Sequence, residues 1–179
     1  MFLRLSELKK RDAYVSVYND TEDPDSFMFG KIDALDEEFV LLRIYTPTGA
    51  VNGLYMMPLE HIVRLEYGDP YSARMARLIG NVAGVRSGVN EPVLDSMLEY
   101  CRRGGRVTSF ELNDSGGNDV IGIIESIDEE TVTVRQIDLY GETDGFTCFR
   151  IDDVSCIQYD TGTETPRTRL YEMNREEGK

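Results

Sequence analysis

The chain has one histidine, three cysteines and no long apolar run, and its acidic side chains outnumber the basic ones 33 to 19. The single histidine, His61, excludes a metal site built on two imidazoles. As a general base it would stand alone, because no nucleophile motif surrounds it. Cys101, Cys148 and Cys156 are odd in number and lack metal-ligand spacing, so they read as reduced thiols of a cytoplasmic protein. Cys148 and Cys156 fall on strands expected to be neighbours, and burial in the core is their expected role over a redox pair. No apolar run approaches the length of a membrane span. Met1 to Lys10 has no cleavage-like site, so no secretion signal is expected. The glycines after residue 70 lack both a preceding strand and a Gly-Lys-Ser/Thr sequence, which weighs against a phosphate-cradling loop. The acidic loops 19–26 and 113–119 lack the ligand spacing of a calcium loop. No cofactor and no enzymatic activity are expected.

The net charge of −14 is unevenly spread. Residues 13–69 hold 3 basic and 11 acidic side chains, and residues 107–160 hold 2 and 13. Residues 70–106 reverse the balance, with 6 basic and 3 acidic. The two acidic regions repel phosphate backbones, which makes nucleic acid a disfavoured partner.

What is present is a repeat. FGKIDALDEEFVLLRI (29–44) lies without gaps on IGIIESIDEETVTVRQ (121–136), with seven of sixteen positions identical. Gly30 meets Gly122, Asp36 meets Asp128, and Arg43 meets Arg135. At the same offset of 92, Gly49 meets Gly141, Gly53 meets Gly145 and Tyr67 meets Tyr159. Upstream, the same register sets Glu7 on Glu99, Val15 on Val107, and Lys10–Arg11 on Arg102–Arg103. The period is too long for a solenoid, so the reading is duplication of a domain.

Each copy reads as a short helix followed by five short strands. Ser6 is the expected cap of the first helix. Asn90 is the expected cap of the second, with Pro92 early in it. Val93, Leu94, Met97, Leu98 and Cys101 then form an apolar stripe, and Gly104 is the expected left-handed stop. The strand candidates are 13–18, 27–36, 39–46, 53–59 and 62–67, with counterparts at 106–112, 119–128, 131–139, 145–151 and 154–159. A glycine inside each second strand marks a bulge or bend that helps a small sheet curl into a closed barrel. The segment 70–92 reads as a helical linker with small residues at Ser72, Ala76, Gly80, Gly84 and Gly88, its later part either helix or loop. The tail 162–179 is either disordered or a short amphipathic helix around Leu170, Tyr171 and Met173. The expected organisation is a first barrel at 1–69, the linker, a second barrel at 93–161 and a polar tail.

These residues carry a resemblance to the Sm/LSm/Hfq superfamily. GKIDALDEEFVLL resembles the first Sm signature and MMPLEHIVRLEY the short second one, most closely to bacterial Hfq around 30–43. The resemblance implies SH3-like five-stranded barrels that form rings by pairing a fourth strand with the fifth strand of the next module. The RNA-reading residues of that family do not carry over. Its asparagine past the turn aspartate is replaced by Phe39–Val40 and Thr131–Val132. Its arginine–glycine pair is replaced by Pro58–Leu59 and Arg150–Ile151. The Hfq tyrosine–lysine–histidine run is absent, and His61 is matched by Asp153.

The carboxylate trios Asp36–Glu38 and Asp128–Glu130 read as solvated hairpin turns rather than acid–base pairs. Arg74, Arg77, Arg86, Arg102, Arg103 and Arg106 form the basic group, able to meet RNA phosphates or acidic barrel faces within or between subunits. The overall charge favours the second use. The expected function is a non-catalytic, oligomeric interaction or assembly module with protein partners. Alternatives are an RNA-binding protein using these arginines, and a PRC-barrel-like regulatory module suggested by Pro58, Leu59 and Ile62.

Overall fold

The computed structural model describes residues 1–80 and 86–177. The chain forms two compact units, Met1–Ser96 and Met97–Lys179. It is mainly β, with four α-helices among the described residues, and every strand pairing described here is antiparallel.

Unit 1 runs α1 (Phe2–Lys10), β1 (Tyr14–Tyr18), β2 (Met28–Leu35), β3 (Phe39–Tyr45), β4 (Val51–Pro58), a 3-10 turn (Leu59–His61), β5 (Arg64–Tyr67) and α2 (Pro70–Ile79). Its strand order is β5-β1-β2-β3-β4. Helix α1 starts at Phe2 and not after Ser6, because Leu5 and Leu8 both bury and must share one helical face. Helix α2 begins with a cap that the sequence spells out. Asp69 Oδ1 accepts the N–H groups of Tyr71 (2.7 Å) and Ser72 (2.9 Å), and Pro70 needs no such partner. Those bonds, led by the Ser72 N–H, hold the Asp69 carboxyl below its ordinary range.

Apolar Met75 and Ile79 on α2 pack with Phe29 and Tyr45, joined by Tyr14, Phe27 and Tyr71. Phe29 stacks on Tyr14 at 5.4 Å and meets Tyr71 edge-on at 5.3 Å. The helix stops at Gly80 (φ +62°). Residues from Arg86 to Pro92 follow no regular structure, and the expected small-face position Gly84 lies outside the described residues.

Helix α3 (Val93–Gly104) gives its start to unit 1 and the rest to unit 2. Unit 2 continues with β6 (Thr108–Leu112), β7 (Val120–Ile127), β8 (Thr131–Ile137), β9 (Thr143–Arg150), a 3-10 turn (Ile151–Asp153), β10 (Val154–Tyr159) and α4 (Glu164–Glu177). Its order, β10-β6-β7-β8-β9, repeats that of unit 1. The left-handed residue after α3 is Gly105 (φ +60°), not Gly104. Gly104 is small for a different reason: a Cβ there would stand 1.9 Å from Tyr159 Oη.

The repeat is more extensive and less regular than an even offset of 92. Gly30 pairs with Val15, and Gly122 pairs with Thr108, so the partner of Val15 across the copies is Thr108 and not Val107. Tyr67 and Tyr159 give the same answer, facing Val15 and Thr108. The helices follow the shifted register, with Leu5 matching buried Leu98, Leu8 matching buried Cys101, and left-handed Asp12 matching Gly105. Glu7–Glu99 and Lys10–Arg11 with Arg102–Arg103 are therefore not structural partners. One residue has been lost between the first two strands of copy two, in a loop where a deletion disturbs no ladder.

Past the fifth strand the offset of 92 still holds, and it sets α2 on the start of α4. The glycine turns prove the match. A Cβ on Gly49 would meet Leu78 Cγ at 3.0 Å, and one on Gly141 would meet Tyr171 N at 2.5 Å and Leu170 C at 2.6 Å. In both copies the turn after the third strand presses on the same turn of the same helix. Thus the segments read as linker and tail both contain a helix of the repeating unit. On α4, Tyr171 packs with Val107, Ile123 and Ile137. Buried Glu164 accepts hydrogen bonds from Ser109 Oγ and from the Thr161 N–H and hydroxyl.

The second-strand glycines are required by close approach. A Cβ on Gly30 would lie 2.3 Å from Arg43 O, and one on Gly122 2.1 Å from Arg135 O. A register shift follows at Ile32/Ala34 and again at Ile124/Ser126. The glycine thus precedes the irregularity of its ladder by two residues in both copies. Within each unit the fourth and fifth strands end the order and do not pair with each other.

Candidate functional site

The end strands are the feature of each unit with binding chemistry. Strands β5 and β9 stand at the two ends of the whole strand order, and a strand there offers backbone N–H and C=O groups along one side. Equivalent end strands differ in exposure. Strand β4 buries Gly53, Leu54, Met56 and Met57, whereas its counterpart β9 exposes Asp144, Phe146, Cys148 and Arg150. Strand β5 exposes Arg64, Glu66 and Tyr67, whereas its counterpart β10 buries Val154, Ser155, Cys156 and Ile157.

Strand β9 pairs with β8 and β5 pairs with β1, each ending its order. Along β9 the buried residue is Phe149, held against Phe110 at 5.1 Å between ring centroids. Phe146, on the opposite pleat, is 66% exposed. Beside β5, Val63 and Tyr67 are exposed as well. Arg64 lies over the Tyr18 ring at 3.7 Å and pairs with Glu66 at 3.3 Å.

The cysteines differ from the expectation. Cys101 and Cys156 are buried, but Cys148 is exposed. Cys148 on β9 and Cys156 on β10 lie at opposite ends of the strand order of unit 2, not on neighbouring strands, because β9 pairs with β8 and β10 with β6. Burial pushes the Cys101 thiol far above its ordinary range, so it stays protonated.

The turn aspartates do structural work in both copies. Asp36 Oδ1 accepts the N–H groups of Glu38 (2.9 Å) and Phe39 (2.7 Å), and Asp128 Oδ1 those of Glu130 (3.0 Å) and Thr131 (2.8 Å). Asp128 is held below the ordinary carboxyl range by the Glu130 N–H first, then by Thr131. Asp36 Oδ2 also accepts the Val93 N–H at 2.7 Å, and Asp33 Oδ2 accepts the Ser87 N–H at 3.0 Å. Residues 87–93 are therefore tied to unit 1 at two points, Asp33 on the second strand and Asp36 in the turn after it.

The arginines do not form one face. Arg74 and Arg77 are exposed on α2 of unit 1, where Arg74 Nε reaches its own helix at Pro70 O (3.2 Å). Arg86 stands 3.9 Å from Asp12. In unit 2, Arg102 pairs with Glu99 at 2.9 Å and Arg103 Nε donates to Glu99 O at 3.2 Å. Arg106 pairs with Asp160 at 3.0 Å. Burial raises the Asp160 carboxyl, and Arg106 opposes the rise.

A conserved-geometry pair escaped the sequence reading. Arg43 binds Asp33 at 3.1 Å, and its repeat partner Arg135 binds Glu125 at 2.7 Å. The identical arginines and the matched Asp/Glu were the available signal. Compared with family models, curated proteins and solved structures, the chain matches none of them.

Proposed function

We propose that the chain is a non-catalytic interaction or assembly module of the cytoplasm, built from two Sm-like barrel modules and acting as a homo-oligomer with protein partners. The observation that carries this reading is the strand order: in each unit the fourth and fifth strands end it, and one of each kind, β9 and β5, is exposed. Pairing β9 of one chain with β5 of the next would satisfy the open backbone groups of both. It is also the pairing by which the family that the sequence resembles makes rings. The two edges are different surfaces, so the contact is head-to-tail and closes by rotation, with three chains completing a ring of six modules. Exposed Phe146 on one edge and Val63 and Tyr67 at the other supply apolar area.

The carboxylates nearest to an acid–base pattern are spent on turn N–H groups, which supports a binding role over a reaction. The engagement of Arg102, Arg103 and Arg106 with Glu99 and Asp160 favours protein over RNA partners.

The test is native mass by light scattering across the micromolar range, with and without cellular RNA, at low and moderate salt. A closed oligomer indifferent to RNA supports the proposal. The double variant Phe146→Lys with Cys148→Lys, which places charge on the β9 edge, should then fall to single-chain mass. A wild-type monomer at all concentrations overturns it. A mass shift with RNA that vanishes with salt and with Arg102→Ala/Arg103→Ala would instead establish RNA binding.

A further inference from the structure

A pocket of about 340 Å³ opens in unit 2 between α4, β7 and the turn after β8. Asp119, Ile121, Ile137 and Arg167 are among the residues that line it. At the offset of 92 these four positions correspond to Phe27, Phe29, Tyr45 and Met75. In unit 1 those four residues, with Tyr14 and Tyr71, fill the same place with packed rings and a thioether. The counterparts of Tyr14 and Tyr71 are also reduced, to Val107 and Thr163. Copy one therefore plugs the site with aromatic side chains, and copy two has no ring at any of these six positions, while keeping the helix, the strand and the turn around it.

The substitutions do more than remove volume. Apolar Phe27, Met75 and Ile44 give way to Asp119, Arg167 and Gln136. Arg167 is fixed, its Nη1 donating to Ile137 O at 3.1 Å. Asp119 is fixed by the Leu112 N–H at 2.8 Å and by the Ser115 hydroxyl at 2.6 Å. Asp138 anchors the rim by accepting the Tyr140 and Glu142 N–H groups, both at 2.8 Å. Asp144 reaches the pocket from exposed β9. Leu139 and Tyr140 stand exposed at the mouth. The lining thus joins an apolar floor, one aromatic rim residue and three carboxylates against a single guanidinium. A volume of this size is at the lower end of small-ligand sites.

We infer that copy two carries a binding pocket for a small organic monocation, an ammonium or guanidinium on a compact apolar body. The apolar body would lie on Ile121 and Leu139, above buried Ile137, and the cation would meet Asp144, with the Tyr140 ring beside it. The cation comes either as a free amine or as a Lys or Arg side chain of a partner protein. The inference stands apart from the assembly proposal, since native mass and pocket binding are read in different experiments.

The full chain is titrated with 2-phenylethylamine, with 3-phenylpropionate as the charge-reversed control, and with N-acetyl-arginine amide, each by saturation-transfer NMR and calorimetry. Saturable binding of phenylethylamine but not of phenylpropionate is expected. Asp144→Asn should weaken it about tenfold. Ile121→Phe, which restores the ring present at Phe29, should abolish it while leaving the circular dichroism spectrum unchanged. Binding of N-acetyl-arginine amide alone keeps the cation pocket and assigns it to a partner's side chain. The inference is overturned if no cation binds at millimolar concentration, if phenylpropionate binds equally well, or if Ile121→Phe leaves binding intact.

Discussion

The third strand is buried almost throughout in copy one, where β3 reads FVLLRIY, and alternates in copy two, where β8 reads TVTVRQI. The same contrast runs through the rest of the two units. Copy one fills the space under its second helix with rings, and copy two leaves a pocket there. Copy one sinks its Asp33–Arg43 pair, with side chains 4% and 9% exposed, whereas Glu125–Arg135 is 39% and 27% exposed. Residues 87–93 bind Asp33 and Asp36 of unit 1, while at the matching positions of unit 2 Asp128 turns its second oxygen to the Thr131 hydroxyl. Duplication kept one backbone scheme and let its two copies divide the work. The first buries its third strand and its ion pair and fills the space under its second helix, and the second keeps the equivalent places more polar and open.

The ion pairs test this contrast most strongly. Asp33→Ala strands a buried guanidinium and should cost about 3–5 kcal/mol. Glu125→Ala should cost about 0.5 kcal/mol, because water screens the pair it breaks. Urea unfolding, with hydrogen exchange reading β2–β3 and β7–β8 separately, measures both. Equal losses would end the claim that the two pairs differ in kind.

The ring positions come next. Phe29→Ala should destabilise unit 1 by about 3–4 kcal/mol. Ile121→Phe should change the stability of unit 2 by about 1 kcal/mol or less, since the space for a ring already exists. Thermal and urea midpoints of the two variants decide the matter, and a large loss from Ile121→Phe would mean that the pocket is not the vacated ring site.

The turn glycines sharpen the comparison further. Both sit at positive φ, +83° for Gly49 and +78° for Gly141, so alanine is strained by about 1 kcal/mol at either. At Gly141 the new Cβ also meets backbone atoms of α4 at 2.5 Å, whereas at Gly49 it meets the movable Leu78 side chain at 3.0 Å. Gly141→Ala should therefore cost about 2–3 kcal/mol and Gly49→Ala about 1–2 kcal/mol, read from urea midpoints.

The smallest effect is acid sensitivity. Asp69 in unit 1, and Asp119 and Asp128 in unit 2, have carboxyls held below the ordinary value of about 3.9. Their contribution is full above that value and is lost as pH falls through the lower folded values. Glu99, held down by its hydrogen bonds from Arg102, adds a third such group to unit 2, while the carboxyl of Asp160, raised by burial, opposes them. With three lowered groups and one raised against a single lowered group, unit 2 should lose protection first in an acid titration followed by hydrogen exchange.

Much of the architecture was legible. Ten strands fall where β-branched and aromatic runs alternate with polar turns, because such side chains suit a pleated strand and the turn residues break it. The identical glycines, turn aspartates and arginines marked the duplication and turned out to share their local geometry. The lost residue in the loop after β6 was not legible, since chance matches such as Glu7 with Glu99 mimic an ungapped register and only ladder partners expose the shift. The helices at 70–79 and 164–177 escaped the repeat because their sequences share few residues. What they share is a glycine turn pressing on each. The ring-for-pocket exchange was hidden for the same reason: Phe27, Phe29, Tyr45 and Met75 are scattered along the chain.

By itself the sequence determined the elements and their duplication, because periodicity, capping and turn chemistry act between residues close along the chain. It determined too that the asparagine and arginine–glycine positions of the resembling family are filled by other residues. The tertiary structure decided which of two equivalent strands is exposed, which of two equivalent ion pairs is buried, and which of two equivalent sites is full. Those outcomes depend on what packs against a residue from distant parts of the chain, and burial of that kind leaves no local period to read.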